Sequence, residues 1–207
     1  LILVSDHGFT PLNKYIYINK LLEKYGYFSF PLKEKISYYL LVPLINMIIG
    51  ILPKSLAFKF YFRIKKILRQ KRRKFNNKAY LHSYTSQAIV VKDKEILLDL
   101  LNKLKKDLFE LNVINNLYLK EEIFSGEMIE RIPDIIVETK EGYILSDLYS
   151  RNILAPPYKL MGQKKADHAS IGIFGLYSPL RCFKLIKTPH VYDIAPTILG
   201  LLKVKYE

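Results

Sequence analysis

The chain opens on an apolar run, Leu1-Ile-Leu-Val4, that stops abruptly at Ser5-Asp6-His7-Gly8. A short apolar run closed by polar residues and glycine predicts a buried strand. From Lys14 to Ile18 tyrosine and isoleucine alternate, the period of a short or edge strand. Asn19 then stands where an N-cap would, ahead of Lys20 to Tyr25, and Gly26 offers the stop. After Asn76-Asn77, Gln87 to Val91 predicts a strand. Ile96, Leu97, Leu100, Leu101, Leu104, Leu108 and Leu111 recur at the three- and four-residue spacing of a helix, with Asp93 as its cap. Ile135 to Val137, Tyr143 to Leu145 and Ile171 to Phe174 predict further strands. Val191 to Leu202 predicts a helix with Pro196 near the first turn, where proline is tolerated. Strands alternating with helices predict an α/β sheet with helical cover.

The stretch from Leu32 to Lys78 departs from that alternation and predicts two helices. The first carries Ile36, Tyr39, Leu40, Leu44 and Met47. The second begins near Ser55 and aligns Leu56, Phe60, Ile64, Ile67 and Leu68, with Arg63, Lys65, Lys66 and Arg69 to the sides. Within the first, Tyr38 to Leu52 is almost wholly apolar. It is shorter than the about 20 residues needed to span a bilayer and contains Pro43, so a buried or surface-lying helix is expected. The expected division is a core segment over 1–31, a basic helical insertion over 32–78, and a second core segment over 79–207.

Charge sharpens this division. The 207 residues carry 33 Lys or Arg against 19 Asp or Glu, a net +14. No acidic residue occurs between Glu34 and Asp93, while 13 of the cations fall there, so nearly all the excess belongs to the insertion. Half the residues are hydrophobic, which excludes a disordered tail. A single cysteine, Cys182, excludes an intrachain disulfide and a cysteine-based zinc site. The chain begins inside an apolar run rather than at Met with a basic leader, and the expectation is that it lacks an N-terminal portion. With no export signal in view, the default expectation is the cytoplasm.

Asp6-His7-Gly8 is the sharpest chemical feature. A carboxylate and an imidazole at the end of a strand suit Zn or Mn, at about 2.0–2.2 Å, and glycine lets the turn bring both side chains together. The plainer alternative is a capping aspartate beside a surface histidine. His168, in Ala166-Asp-His-Ala-Ser170, precedes a predicted strand and is by itself more often structural than a ligand. His82 and His190 carry no sign of a site. Asp193 is expected to cap the last helix, with Thr197 supporting the turn. There is no phosphate loop, nucleophile elbow or His-Glu-x-x-His motif.

Taken in order, several blocks carry a resemblance. Val4-Ser-Asp-His-Gly-Phe9, Ile18-Asn-Lys-Leu-Leu22 with Gly26, and Lys78-Ala-Tyr80 come first. Ile132-Pro-Asp-Ile-Ile-Val137, His168 with Gly172-Ile-Phe174, and Tyr192-Asp-Ile-Ala-Pro-Thr-Ile-Leu199 follow. This ordered set resembles the alkaline phosphatase superfamily, in its type I phosphodiesterase and nucleotide pyrophosphatase branch. The resemblance implies a mostly parallel sheet with helices on both faces, interrupted here by the basic insertion. It implies two divalent metal ions, zinc or else manganese, with Asp6 and His7 on one and His168 on the other. It implies a phosphate-ester or nucleotide substrate. The family's nucleophilic threonine or serine and its remaining ligands precede the Ser-Asp-His-Gly block, and only three residues stand before Val4 here. On this reading the 207 residues are the C-terminal part of a two-metal hydrolase and inactive alone. The rival reading is a non-catalytic module docking on an anionic surface through Arg63 to Lys78. A membrane is preferred to nucleic acid because an apolar run adjoins the charge.

Overall fold

The computed structural model describes residues 1–33, 35–36, 40, 44, 47–48, 51–53, 55–56, 59, 77–83, 86–156, 165–179, 182–184 and 187–204. Its strands are β1 (Ile2–Val4), β2 (Gly8–Pro11), β3 (Lys14–Tyr17), β4 (Ala79–Ser83), β5 (Ala88–Val91), β6 (Ile114–Leu119), β7 (Ile135–Thr139), β8 (Tyr143–Ser146), β9 (Leu154–Ala155), β10 (Ala166–Ala169) and β11 (Phe174–Leu176). The principal helices are α1 (Ile18–Lys24), α2 (Leu97–Glu110) and α3 (Ile194–Leu201). Two compact units result: Pro11–Asp167, and a smaller one made from the chain ends, Leu1–Thr10 with His168–Glu207.

The larger unit holds the core. Its four-stranded sheet runs β4-β5-β7-β6 and its three-stranded sheet β8-β3-β9. Ile16 and Ile18, Leu21 and Leu22 of α1, Ile89 of β5 and Ile135 of β7 meet the buried face of α2. That face is Leu100, Leu101, Leu104 and Leu108, as the spacing predicts. Each fully buried side chain of this size contributes about 1.5–3 kcal/mol. On β3 the alternation serves two cores at once. Ile16 enters the main cluster, while Tyr15 and Tyr17 pack with Leu12 and Ile144 in a second. β3 is therefore a central strand, covered on both faces.

The mostly parallel sheet with helices on both faces is not what the chain forms. β3 and β8 pair in parallel, Lys14 opposite Tyr143 and Tyr17 opposite Ser146, while β3 with β9 and β1 with β11 pair antiparallel. β4, β5, β7 and β6 pair antiparallel throughout. The physical reason lies in β7. β5, α2 and β6 follow one another as a strand–helix–strand unit, and β5 and β6 do run the same way, both being antiparallel to β7. The strand later in sequence inserts between them, which alternation along the chain cannot reveal.

Local signals fare unevenly. Gly26, at φ +79°, ends α1 with paired bonds, Gly26 N–H to Glu23 O at 3.0 Å and Tyr27 N–H to Leu22 O at 2.9 Å. Asp93 caps the short 3-10 turn leading into α2, accepting from Glu95 N–H at 3.3 Å. Asn19 is not a cap. It lies inside α1, 3% exposed, and its side-chain amide accepts from Leu81 N–H at 3.0 Å and donates to Asp147 O at 3.3 Å. Between Leu32 and Lys59 the described positions are mostly helical, with Lys35 N–H bonded to Pro31 O and Leu52 N–H to Ile48 O. The expected stripe through Phe60, Ile64, Ile67 and Leu68 lies outside the described residues. Among the described residues no helix is long and apolar enough to cross a membrane.

In the smaller unit β1 pairs antiparallel with β11, Ile2 opposite Leu176 and Val4 opposite Phe174. The opening run is a strand but not a buried one: Leu3 is 62% exposed and Val4 45%. The strand expected at Ile171 begins at Phe174 instead. At the C-terminal end the Asp193 side chain does not cap the last helix; it accepts from His190 N–H at 2.8 Å, and the His190 side chain accepts from Tyr192 N–H at 3.3 Å. That reciprocal pair opens the turn Val191–Asp193, and α3 follows, its Thr197 hydroxyl donating to Asp193 O at 2.6 Å.

Candidate metal centre

The turn carrying Asp6 and His7 is set by Ser5. After Val4 the ladder with β11 makes one more rung, Ser5 N–H donating to Ile173 O at 2.9 Å. The return bond from Ile173 N–H goes to the Ser5 hydroxyl oxygen at 2.7 Å, rather than to the Ser5 carbonyl. Replacing a ladder carbonyl by a side-chain oxygen frees the backbone to bend, and the chain turns at Asp6.

Two glycines let the backbones of 5–8 and 171–172 meet. A Cβ on Gly8 would stand 2.2 Å from Ile171 O, and one on Gly172 would stand 2.8 Å from the Ser5 hydroxyl and 2.9 Å from Ser5 O. Neither glycine adopts a positive φ. Gly8 is thus required for close approach, not for the conformational freedom its place in a turn suggests.

The same turn brings the three expected ligands into one region. Asp6 Oδ1 lies 3.5 Å from His7 Nε2. The His7 and His168 rings stack with centroids 4.0 Å apart and planes 14° from parallel. Phe9 meets both edge-to-face, at 5.1 Å from His7 and 5.5 Å from His168. The His7 side chain is 28% exposed and that of Asp6 85% exposed. His7 Nδ1 lies 3.0 Å from Gly8 O. A carbonyl only accepts, so Nδ1 is the nitrogen that donates to it. Nε2 is the nitrogen facing Asp6.

The donor set suits divalent metal. A 3.5 Å separation is long for a hydrogen bond. It does match the edge of a tetrahedron with bonds of about 2.1 Å, about 3.4 Å between ligand atoms. Imidazole lone pairs lie in the ring plane, so two nearly parallel rings cannot both serve one ion at bonding distance. The 4.0 Å between the ring centroids is close to the about 3.5–4 Å spacing of paired-metal hydrolases. Among the described residues no group of three or more His, Cys, Asp or Glu side chains is arranged to hold one ion.

His190 is a capping residue and His82 an exposed position on β4. The quoted block around Asp134 is structural. Its carboxylate, 4% exposed, accepts from Val91 N–H at 2.7 Å and pairs with Lys94 and with the buried Lys120. Three contributors carried no separate signal in the sequence: the Ser5 hydroxyl, the Gly8 carbonyl and the Phe9 ring. Their roles depend on which strand lies alongside.

No curated protein and no solved structure gives a significant match to the chain. A family model does, the type I phosphodiesterase / nucleotide pyrophosphatase model, over residues 1–169, a span that contains Asp6, His7 and His168. Members of that family are hydrolases of phosphate esters and nucleotides and are generally metal-dependent. With most of its length matched, the chain belongs to the type I phosphodiesterase / nucleotide pyrophosphatase family.

Proposed function

We propose that the chain supplies part of a two-metal site for phosphate-ester hydrolysis, with Asp6 and His7 on one divalent ion and His168 on the other. The observation that carries this reading is the parallel stacking of His7 on His168, with Asp6 Oδ1 3.5 Å from His7 Nε2. Zinc, or else manganese, fits a carboxylate-and-imidazole donor set. When bound, paired metals activate an attacking oxygen and neutralise charge that develops on the phosphoryl group.

The chain's own residues position and hold. The Gly8 carbonyl accepts from His7 Nδ1 and orients the ring so that Nε2 faces Asp6. The Ser5 hydroxyl and the close approach at Gly172 fix the turn presenting Asp6. Phe9 wedges against both rings and limits their rotation. The substrate is a phosphate ester or nucleotide, and its reacting oxygens would meet this edge. The Ser5 hydroxyl accepts from Ile173 N–H within the fold, a structural role in shaping the turn.

Metal titration tests the reading. Zinc should bind the protein, and His7→Ala should weaken it by about 100-fold or more. Equal zinc affinity in the protein and in a His7→Ala, His168→Ala double variant would overturn it.

A further inference from the structure

α3 is made mostly of apolar residues, yet none of its residues is buried. Its half-buried Ile194 and Thr197 line a recess of about 320 Å³ together with Phe174 and Leu176 of β11 and with Phe183. Phe174 and Leu176 stand two apart on a strand and so share one face of the β1–β11 ribbon. All of these residues belong to the smaller unit. A helix laid directly on that face would exclude the space. Close-packed interiors do not leave apolar room of this size unfilled, so the recess is a site and not a packing gap.

The polar groups at the recess select its ligand. Lys184 and Lys187 stand there with one carboxylate, that of Asp193. The carboxylate is already answered: Oδ2 accepts from His190 N–H at 2.8 Å, and Oδ1 lies 3.5 Å from Lys187 Nζ. An ammonium group has three donors, so Lys187 keeps two. Among the described residues no ion pair engages Lys184. The Thr197 hydroxyl donates to Asp193 O at 2.6 Å and offers the recess only lone pairs. A neutral apolar molecule would leave the cations unanswered, and a bare inorganic anion would leave the walls wet. A second anionic group would meet the Asp193 carboxylate. We propose that the recess binds a small amphipathic monoanion, one aromatic ring or short alkyl chain seated against Phe174, Leu176 and Ile194, with its carboxylate or sulfonate at Lys184 and Lys187. The site uses none of the proposed metal ligands and stands or falls apart from them.

Amide NMR titrations of the full chain without added metal test it, with octanoate and benzenesulfonate as the anions and octanol and benzyl alcohol as their neutral counterparts. The anions should give saturable shifts at the amides of Phe174, Leu176, Ile194 and Thr197, and the tighter of the two tells an aliphatic from an aromatic ligand. The neutral counterparts should bind about tenfold more weakly. Lys184→Gln should weaken the anions about threefold and leave the neutral molecules unchanged. Ile194→Phe, which fills the recess, should abolish binding of all four. Lys184 is exposed, so its variant keeps the fold and the test does not depend on the Phe variant. The proposal is overturned by any of three results: no saturable shift at these amides with either anion, equal affinity for the neutral counterparts, or anion binding that both variants leave unchanged.

Discussion

The ring of His7 lies flat against the ring of His168, 4.0 Å away and 14° from parallel, although the two come from opposite ends of the chain. Two strand pairings bring them together, β1 with β11 and β2 with β10. The stacking has a chemical consequence. Parallel rings present their lone pairs in separate planes, the arrangement on which the proposal of one ion per ring rests.

If each ring holds its own ion, the two histidines are separable by mutation. His168→Ala should remove one equivalent of bound zinc and leave the ion on Asp6 and His7. Asp6→Ala and His7→Ala should both remove the other. Metal analysis after dialysis reads the stoichiometry, and a His168→Ala protein that retains its full zinc complement would contradict the assignment.

The glycines of the turn should be sensitive for a steric reason. Gly8→Ala drives a methyl group to 2.2 Å from Ile171 O, a clash with backbone that no rotamer relieves. We expect it to cost about 1–3 kcal/mol locally and to weaken metal binding. Gly200 in α3 meets nothing within 4 Å, so Gly200→Ala should be neutral or stabilising by up to about 1 kcal/mol. Amide exchange at Ser5 and Ile173 reports the first effect. Unchanged protection in Gly8→Ala would rule out the close approach.

α1 and α2 are tied by one carboxylate. Asp107 Oδ2 accepts from Lys24 Nζ and from the Tyr25 hydroxyl, each at 2.8 Å. The Lys24 bond, and after it the Tyr25 bond, outweigh burial and hold the Asp107 carboxyl below its ordinary value. Folded Asp107 thus keeps its charge to lower pH than unfolded Asp107. Its contribution is complete above about pH 4, the unfolded value, and is lost as pH falls through the folded one. Asp107→Asn should cost about 1 kcal/mol at neutral pH, and the gap to the parent should close in acid. Urea unfolding across a pH series measures it, and a gap that does not change with pH would refute the linkage.

How much of this was legible in the sequence depends on the range of the interaction. The buried face of α2, Leu100 to Leu108, follows from spacing alone, as does the end of α1 at Gly26, because both are decided within one or two turns. Asn19 departs from the expected cap because its partners, Leu81 and Asp147, are distant in sequence. A polar side chain at a helix start looks like a cap until a strand edge claims it. Sheet direction failed for the same reason: β7 enters between β5 and β6 from further along the chain. The proposed ligands stood out as Asp6-His7 and in the ordered family blocks, but the Ser5 hydroxyl and Gly8 carbonyl could not, since their contacts exist only once Ile173 is alongside and His7 has turned.

Asn19 gives a quantitative check on that point. Its amide serves Leu81 N–H and Asp147 O in a site 3% exposed. Asn19→Ala leaves both groups without that partner and should cost about 1–3 kcal/mol in chemical denaturation. A surface cap would typically lose about 1 kcal/mol.

The central claim, two ions held on separate histidines, is tested most directly by anomalous diffraction from zinc-loaded crystals of the protein. The account predicts two anomalous peaks about 3.5–4 Å apart, one bonded to Asp6 and His7 and the other to His168. A single peak bonded to both histidines, or none at either, would contradict it.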